Sequence, residues 1–179
     1  MKRNIVIALV LIVIAAVSRL VPHVWNVAPV AAAAMLAGAI MPRKWAIGVP
    51  IVAMLISDSI IGFYHMPVML TVYACFAASA LMGSWLKDMK AVKVLGTSLA
   101  SSTLFFIATN FAVWATADWY EKSWQGLALA YTLAIPFFRN TMLGDFIFTV
   151  VLFGACTVVR HGLAYLEKSR ALNCQPPCA

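Results

Sequence analysis

Residues 94–117 carry no charged side chain, and 20–42 and 59–86 are equally free of Asp, Glu, Lys and Arg. Apolar runs beyond about 18 residues are long enough to cross the hydrocarbon layer of a bilayer as helices. Lipid cannot satisfy free backbone N–H and C=O groups, so only helices and closed barrels span it. Barrel strands are short and alternate in polarity, and no such pattern occurs here. Composition agrees: 64% of the 179 residues are hydrophobic and 11% charged, against nearer a half and a quarter in soluble domains. The sequence therefore predicts an all-α integral membrane protein, a single six-helix domain over 1–168 with a disordered tail over 169–179.

The predicted spans are roughly 4–20, 27–42, 45–63, 67–86, 94–117 and 140–163. Pro22, the turn at Pro42-Arg43-Lys44, the stretch 62–67 and the polar stretch 87–93 separate them. Pro29 suits a first helical turn, and Pro50 can kink the third span. The first span follows Lys2 and Arg3 without a small-residue cleavage site, which marks a retained helix rather than a signal peptide. The segment 127–138 is apolar but short, and it follows Asp118, Trp119, Tyr120, Glu121, Lys122 and Trp124. It is predicted as a surface or re-entrant helix over the outer face. A long ordered connection of this kind serves as a lid or binding element, unless its rings form an interfacial aromatic belt.

The net charge of +7 reads as orientation rather than nucleic-acid binding. With the N-terminus inside, Lys2, Arg3, Arg43, Lys44, Lys87, Lys90, Lys93, Arg160, Lys168 and Arg170 fall on the cytoplasmic side. Arg19, Lys122 and Arg139 fall outside, so ten of the thirteen basic residues lie within, as the positive-inside rule requires. Both termini are then cytoplasmic, and an inner membrane of bacterial type is the expected location.

Ionisable residues inside a bilayer are costly and invite a functional reading. Asp58 comes late in the third span and Asp145 early in the sixth, which places both toward the outer leaflet. Arg19, His23 and Asn26 follow the first span on that side. Asn110 and Trp114 share a helical face where the fifth exits, and Arg139 opens the sixth. The competing reading is that Asp58 or Asp145 pairs with Arg19 or Arg139 and locks helices together. As a set, these residues predict a polar pocket opening outward.

Cys75 lies about 12 Å below the outer boundary of the fourth span at 1.5 Å per residue. A buried cysteine is usually a small hydrophobe, the reading for Cys156; a thiolate in this position suits a soft metal. Cys174 and Cys178 lack the second pair or histidine that a zinc site needs. No P-loop, Rossmann, G-x-S-x-G or H-E-x-x-H pattern occurs, so this chain is not expected to bind ATP through a P-loop or to carry those chemistries.

A family resemblance rests on Arg19-Leu20-Val21-Pro22-His23 leading to Asn26, Ser57-Asp58-Ser59-Ile60-Ile61-Gly62, Val72-Tyr73-Ala74-Cys75-Phe76, Thr109-Asn110-Phe111-Ala112-Val113-Trp114, and Pro136-Phe137-Phe138-Arg139-Asn140-Thr141 through Gly144-Asp145. Over about 4–163 the chain resembles the S components, the substrate-binding subunits of energy-coupling-factor (ECF) vitamin transporters. It is most similar to the solitary cobalamin-specific BtuM type. The resemblance implies six helices around an outward vitamin pocket, with Cys75 ligating the cobalt of a bound cobalamin or other corrinoid. His23, Asp58 and Tyr73 are implied as pocket residues. Typical S components dock on a shared ECF module through Ala-x-x-x-Ala on the first helix. That spacing is missing around Ala8, Ala15 and Ala16, and occurs instead in the second span as Ala28/Ala32 and Ala33/Ala37. The alternatives are uptake of another small vitamin with Cys75 merely packing, and a membrane protein that removes the axial ligand of corrinoids, with Cys75 as the attacking group.

Overall fold

In the first helix the alanines of one face turn inward and a stripe of branched residues turns outward. α1 (Lys2–Leu20) buries Ala8, Leu11, Ala15 and Ala16 and leaves Val6, Leu9, Val13 and Val17 half or more exposed. This is the sidedness of a helix whose outer face meets lipid, where close contact rather than hydrophobicity drives association. The computed structural model describes residues 2–21 and 27–173. α1 is followed by α2 (Val30–Ile40), α3 (Arg43–Ile61), α4 (Met66–Gly83), α5 (Ala91–Thr116) and α6 (Trp124–Asn173). α1, α3, α4, α5 and α6 are long and apolar enough to cross a membrane, as suits a multi-pass membrane protein.

α2 is the centre of the bundle and packs against all five others. Ala32, Ala33, Ala34, Met35 and Ala37 are fully buried. The span expected over 27–42 is thus a helix of only 11 residues, about 16 Å long and too short to cross a bilayer alone. Its neighbours enclose it, so its length need not match the membrane. The alanines let the surrounding backbones close in. At Gly38 an added Cβ would stand 2.0 Å from the Ala80 carbonyl oxygen, and at Gly83 2.1 Å from that of Met35. α2 and α4 therefore touch backbone to backbone.

Local chemistry sets several boundaries. Pro67 sits in the first turn of α4, where its missing N–H costs little. Gly62 ends α3 with φ 111°, and its N–H donates to the Asp58 carbonyl at 2.9 Å; that backbone conformation disfavours any side chain.

The largest departure from expectation is in α6. The segment 127–138 is not a separate helix: it belongs to one 50-residue helix with Pro136 inside it. Periodicity alone does not reveal this, because Pro136 and Arg139-Asn140 read as a break. The helix also continues through 169–173, which the sequence reading assigned to the tail; Cys174 and Cys178 lie outside the described residues. α6 returns along α5 with a bend. Tyr131 Oη donates to the Ile107 carbonyl at 2.8 Å, and Ser102 Oγ donates to Asp145 Oδ2 at 2.6 Å. Between those contacts about 7.5 Å of α5 stands against about 21 Å of α6, so α6 departs from a straight path. Between them lies Pro136, which cannot complete the helical hydrogen bond to residue 132.

Candidate functional site

The end of α1, the start of α2, the end of α3 and the start of α4 meet at one end of the bundle. Basic residues gather at the opposite end, at the start of α1 (Lys2, Arg3), the start of α3 (Arg43, Lys44) and the α4–α5 connection (Lys87, Lys90, Lys93). Arg160 joins them, its guanidinium 3.4 Å from the Met89 sulfur. A cavity of about 540 Å³ lies toward the first end. It reaches from Tyr64, in the α3–α4 connection, to Ser79, about 20 Å along α4 from its start.

Its rim holds Arg19, whose guanidinium meets Asp58 Oδ1 at 2.7 Å and also donates to the Ser57 hydroxyl. Tyr73 donates to Asp58 Oδ2 at 2.8 Å. Asp58 is 1% exposed and Ser57 fully buried, so a three-helix clamp of α1, α3 and α4 stands under the rim. Its charges cancel. The contact at Asp58 Oδ1 is ionic rather than an aligned hydrogen bond. Beside it, burial of its ring and then the Asp58 carboxylate push the Tyr64 phenol up to about 12, against a smaller opposing pull from Arg19. The hydroxyl stays protonated and able to donate at neutral pH.

The wall is aromatic and the depth polar. Phe76 and Phe105 line the cavity with ring centroids 5.3 Å apart. Ser79 and Ser101 also line it and share a hydrogen bond at 2.6 Å. Asp145 lines it too, accepting from Ser102. One turn further, Ser98 and Thr149 pair at 3.2 Å. Asp145, expected early in a span starting near 140, instead stands level with Ser102 near the middle of α5, and the helix that carries it begins at Trp124.

The other expected site residues disperse. His23 and Asn26 lie outside the described residues. Asn110 lines a second, smaller cavity of about 130 Å³ between α5 and α6, and its amide donates to the Phe106 carbonyl at 2.8 Å. Trp114 donates to the Glu121 carbonyl at 3.0 Å, and Lys122 caps the end of α5 through the carbonyls of Trp114 and Ala117. These bonds tie the connection after α5 to the end of that helix as a cap. Arg139 is exposed on α6 and lines neither cavity. Cys75 is 6% exposed yet is not among the lining residues; Val72, Phe76 and Ser79 supply that face of α4. Its direction is about 40° round the helix from Ser79. Cys156 packs at the edge of the core.

Sequence reasoning missed Tyr64, Phe76, Phe105, Ser79, Ser101 and Ser102. The available signal is Ser98-x-x-Ser101-Ser102 in the uncharged run 94–117, three hydroxyls on one face.

A family model described as a family of unknown function (DUF6580) matches residues 1–168. The chain belongs to that family. No curated protein and no solved structure matches it.

Proposed function

We propose that this family member is a substrate-binding membrane protein for uptake of a small vitamin-like molecule, of the S-component type. The observation that carries the reading is the cavity of about 540 Å³, within the 300–1,000 Å³ of small-molecule sites and, like them, mostly apolar with a few placed polar groups. In the orientation that puts Lys2, Arg3 and the other basic ends in the cytoplasm of a bacterial-type inner membrane, the cavity opens outward and both termini lie inside. Capture from outside and release within then require a moving partner, for which an ECF module is the candidate. Ala15 and Ala16 of α1 are buried within the bundle, so docking would use another surface.

A corrinoid is the second reading, favoured by the position of Cys75 beside the cavity wall. Cobalt ligation would require α4 to turn Cys75 by about 40° into the Ser79 direction. In the first reading Cys75 packs and plays no part in binding.

The test is thermal unfolding of the detergent-purified protein against a panel of water-soluble vitamins that includes cobalamin, with absorption spectra for the corrinoid. Stabilisation by one vitamin, lost when Ser79 is replaced by Leu, is the expected result. A cobalamin spectrum that shifts in the wild type and not in Cys75→Ala would select the corrinoid reading. No stabilisation by any member of the panel would overturn vitamin capture.

A further inference from the structure

Two carboxylates lie inside the bundle, and their surroundings differ in one decisive respect. Asp58 has Arg19 against it at 2.7 Å. Asp145, 6% exposed, has Ser102 as its hydrogen-bond partner, and no basic side chain among the described residues pairs with it. Arg139, six residues earlier on α6, is exposed and about 120° round the helix. A carboxylate without a counter-charge is costly in such a place, yet this one faces the cavity rather than the packed interior.

The cavity's other groups fit the missing charge. Phe76 and Phe105 present a tilted aromatic pair, and ring faces attract cations electrostatically. The Ser79–Ser101 hydroxyl pair offers lone pairs to N–H donors. The rim guanidinium does not cancel Asp145, because Asp58 already neutralises it.

We infer that the cavity takes a small organic cation, an amine or a cationic aromatic ring, with Asp145 as its counter-charge and the Phe76–Phe105 pair as its wall. This rests on the reading of the cavity as a ligand site and adds the chemical class of the ligand. Binding brings the positive charge that the described residues lack beside Asp145, so the ligand is selected by charge as well as by size.

The experiment uses matched aromatic amines and alcohols, beginning with phenethylammonium and 2-phenylethanol, on the purified full-length protein. Unfolding temperature is read for wild type and Asp145→Asn. The amine is expected to bind about tenfold or more tightly than the alcohol, as a charge-assisted hydrogen bond predicts. Asp145→Asn is expected to abolish that ratio while leaving alcohol binding in place. Should Asp145→Asn not fold, wild-type protein is treated with dicyclohexylcarbodiimide and the adduct at Asp145 is quantified by mass spectrometry. Amines should shield the carboxyl and alcohols should not. Equal binding of amines and alcohols would overturn the cationic class but keep the cavity as a ligand site. Binding of neither would overturn both. Shielding by sodium chloride alone, as effective as by amines, would make Asp145 an alkali-ion site and overturn the organic cation.

Discussion

The α1–α4 half and the α5–α6 hairpin each hold one intramembrane aspartate and treat it in opposite ways. In the first half Asp58 receives a guanidinium, a phenol and full burial, beside backbone-to-backbone contact at Gly38 and Gly83. In the hairpin Asp145 receives one serine and faces a cavity, on a helix that bends across Pro136. One carboxylate is satisfied inside the chain and holds helices together. The other faces the cavity with a serine hydroxyl as its hydrogen-bond partner. The same carboxylate chemistry thus meets different surroundings in the two halves.

The contrast breaks most readily at the clamp. Removing one partner of a buried ion pair strands the other, at about 3–5 kcal/mol. Asp58→Ala is therefore expected to destabilise by that amount in denaturant unfolding from detergent. The double change Arg19→Met with Asp58→Leu should recover much of the loss. A cost for Asp58→Ala no greater than that for Asp145→Ala would erase the distinction.

Glycine substitutions test the same division through packing. Gly83→Ala forces a methyl into the Met35 backbone, and overpacking of this kind costs about 1–3 kcal/mol or more. In α6 a Cβ at Gly154 meets nothing within 4 Å. Gly154→Ala should be neutral or stabilise by about 0.5–1 kcal/mol, the helix preference of alanine. Both are read from the same unfolding curves.

Tyr73→Phe deletes one hydrogen bond to a charged acceptor, worth about 1.5–3 kcal/mol at most. Asp145→Asn, measured without ligand, should stay within about 1 kcal/mol of wild type, because an uncompensated charge is removed while the Ser102 hydroxyl keeps an oxygen to bond. The order Tyr73→Phe above Asp145→Asn sharpens the comparison; the reverse order would contradict it.

The smallest effect is expected at the exposed Asp88–Lys93 pair, 2.8 Å apart. Its hydrogen bond from Lys93 holds the Asp88 carboxyl below its ordinary value. A depressed carboxylate contributes stability above the unfolded-state value near 3.8 and loses it as pH falls through the lower folded-state value. Wild type and Asp88→Asn should therefore converge in strong acid. At neutral pH the difference should be barely measurable, since exposed pairs contribute little.

Much of the fold was legible before the structure. Uncharged runs required helices, and the basic residues of 2–3, 43–44 and 87–93 marked one end of the bundle. Asp58 and Arg19 were readable as partners because both come late in spans that run in the same direction. The start of α6 is not legible in the sequence, because the polar pair Arg139-Asn140 and Pro136 read as a break where the helix runs on from Trp124. Asn110 and Trp114 were grouped with the site by a shared helical face. Their partners are nevertheless the Phe106 and Glu121 carbonyls.

Composition and charge placement alone make this protein helical, membrane-suited and polar at scattered interior points, because hydrocarbon imposes those terms residue by residue. Which of those polar points are closed and which stay open is set by how the helices pack. Pairing depends on the rotation of each helix about its axis and on its register against its neighbours. Alanine and glycine in α2 permit several such arrangements, and backbone contact at Gly38 and Gly83 fixes one. In it Cys75 lies beside the cavity rather than in it, and Asp145 faces the cavity with no basic partner among the described residues.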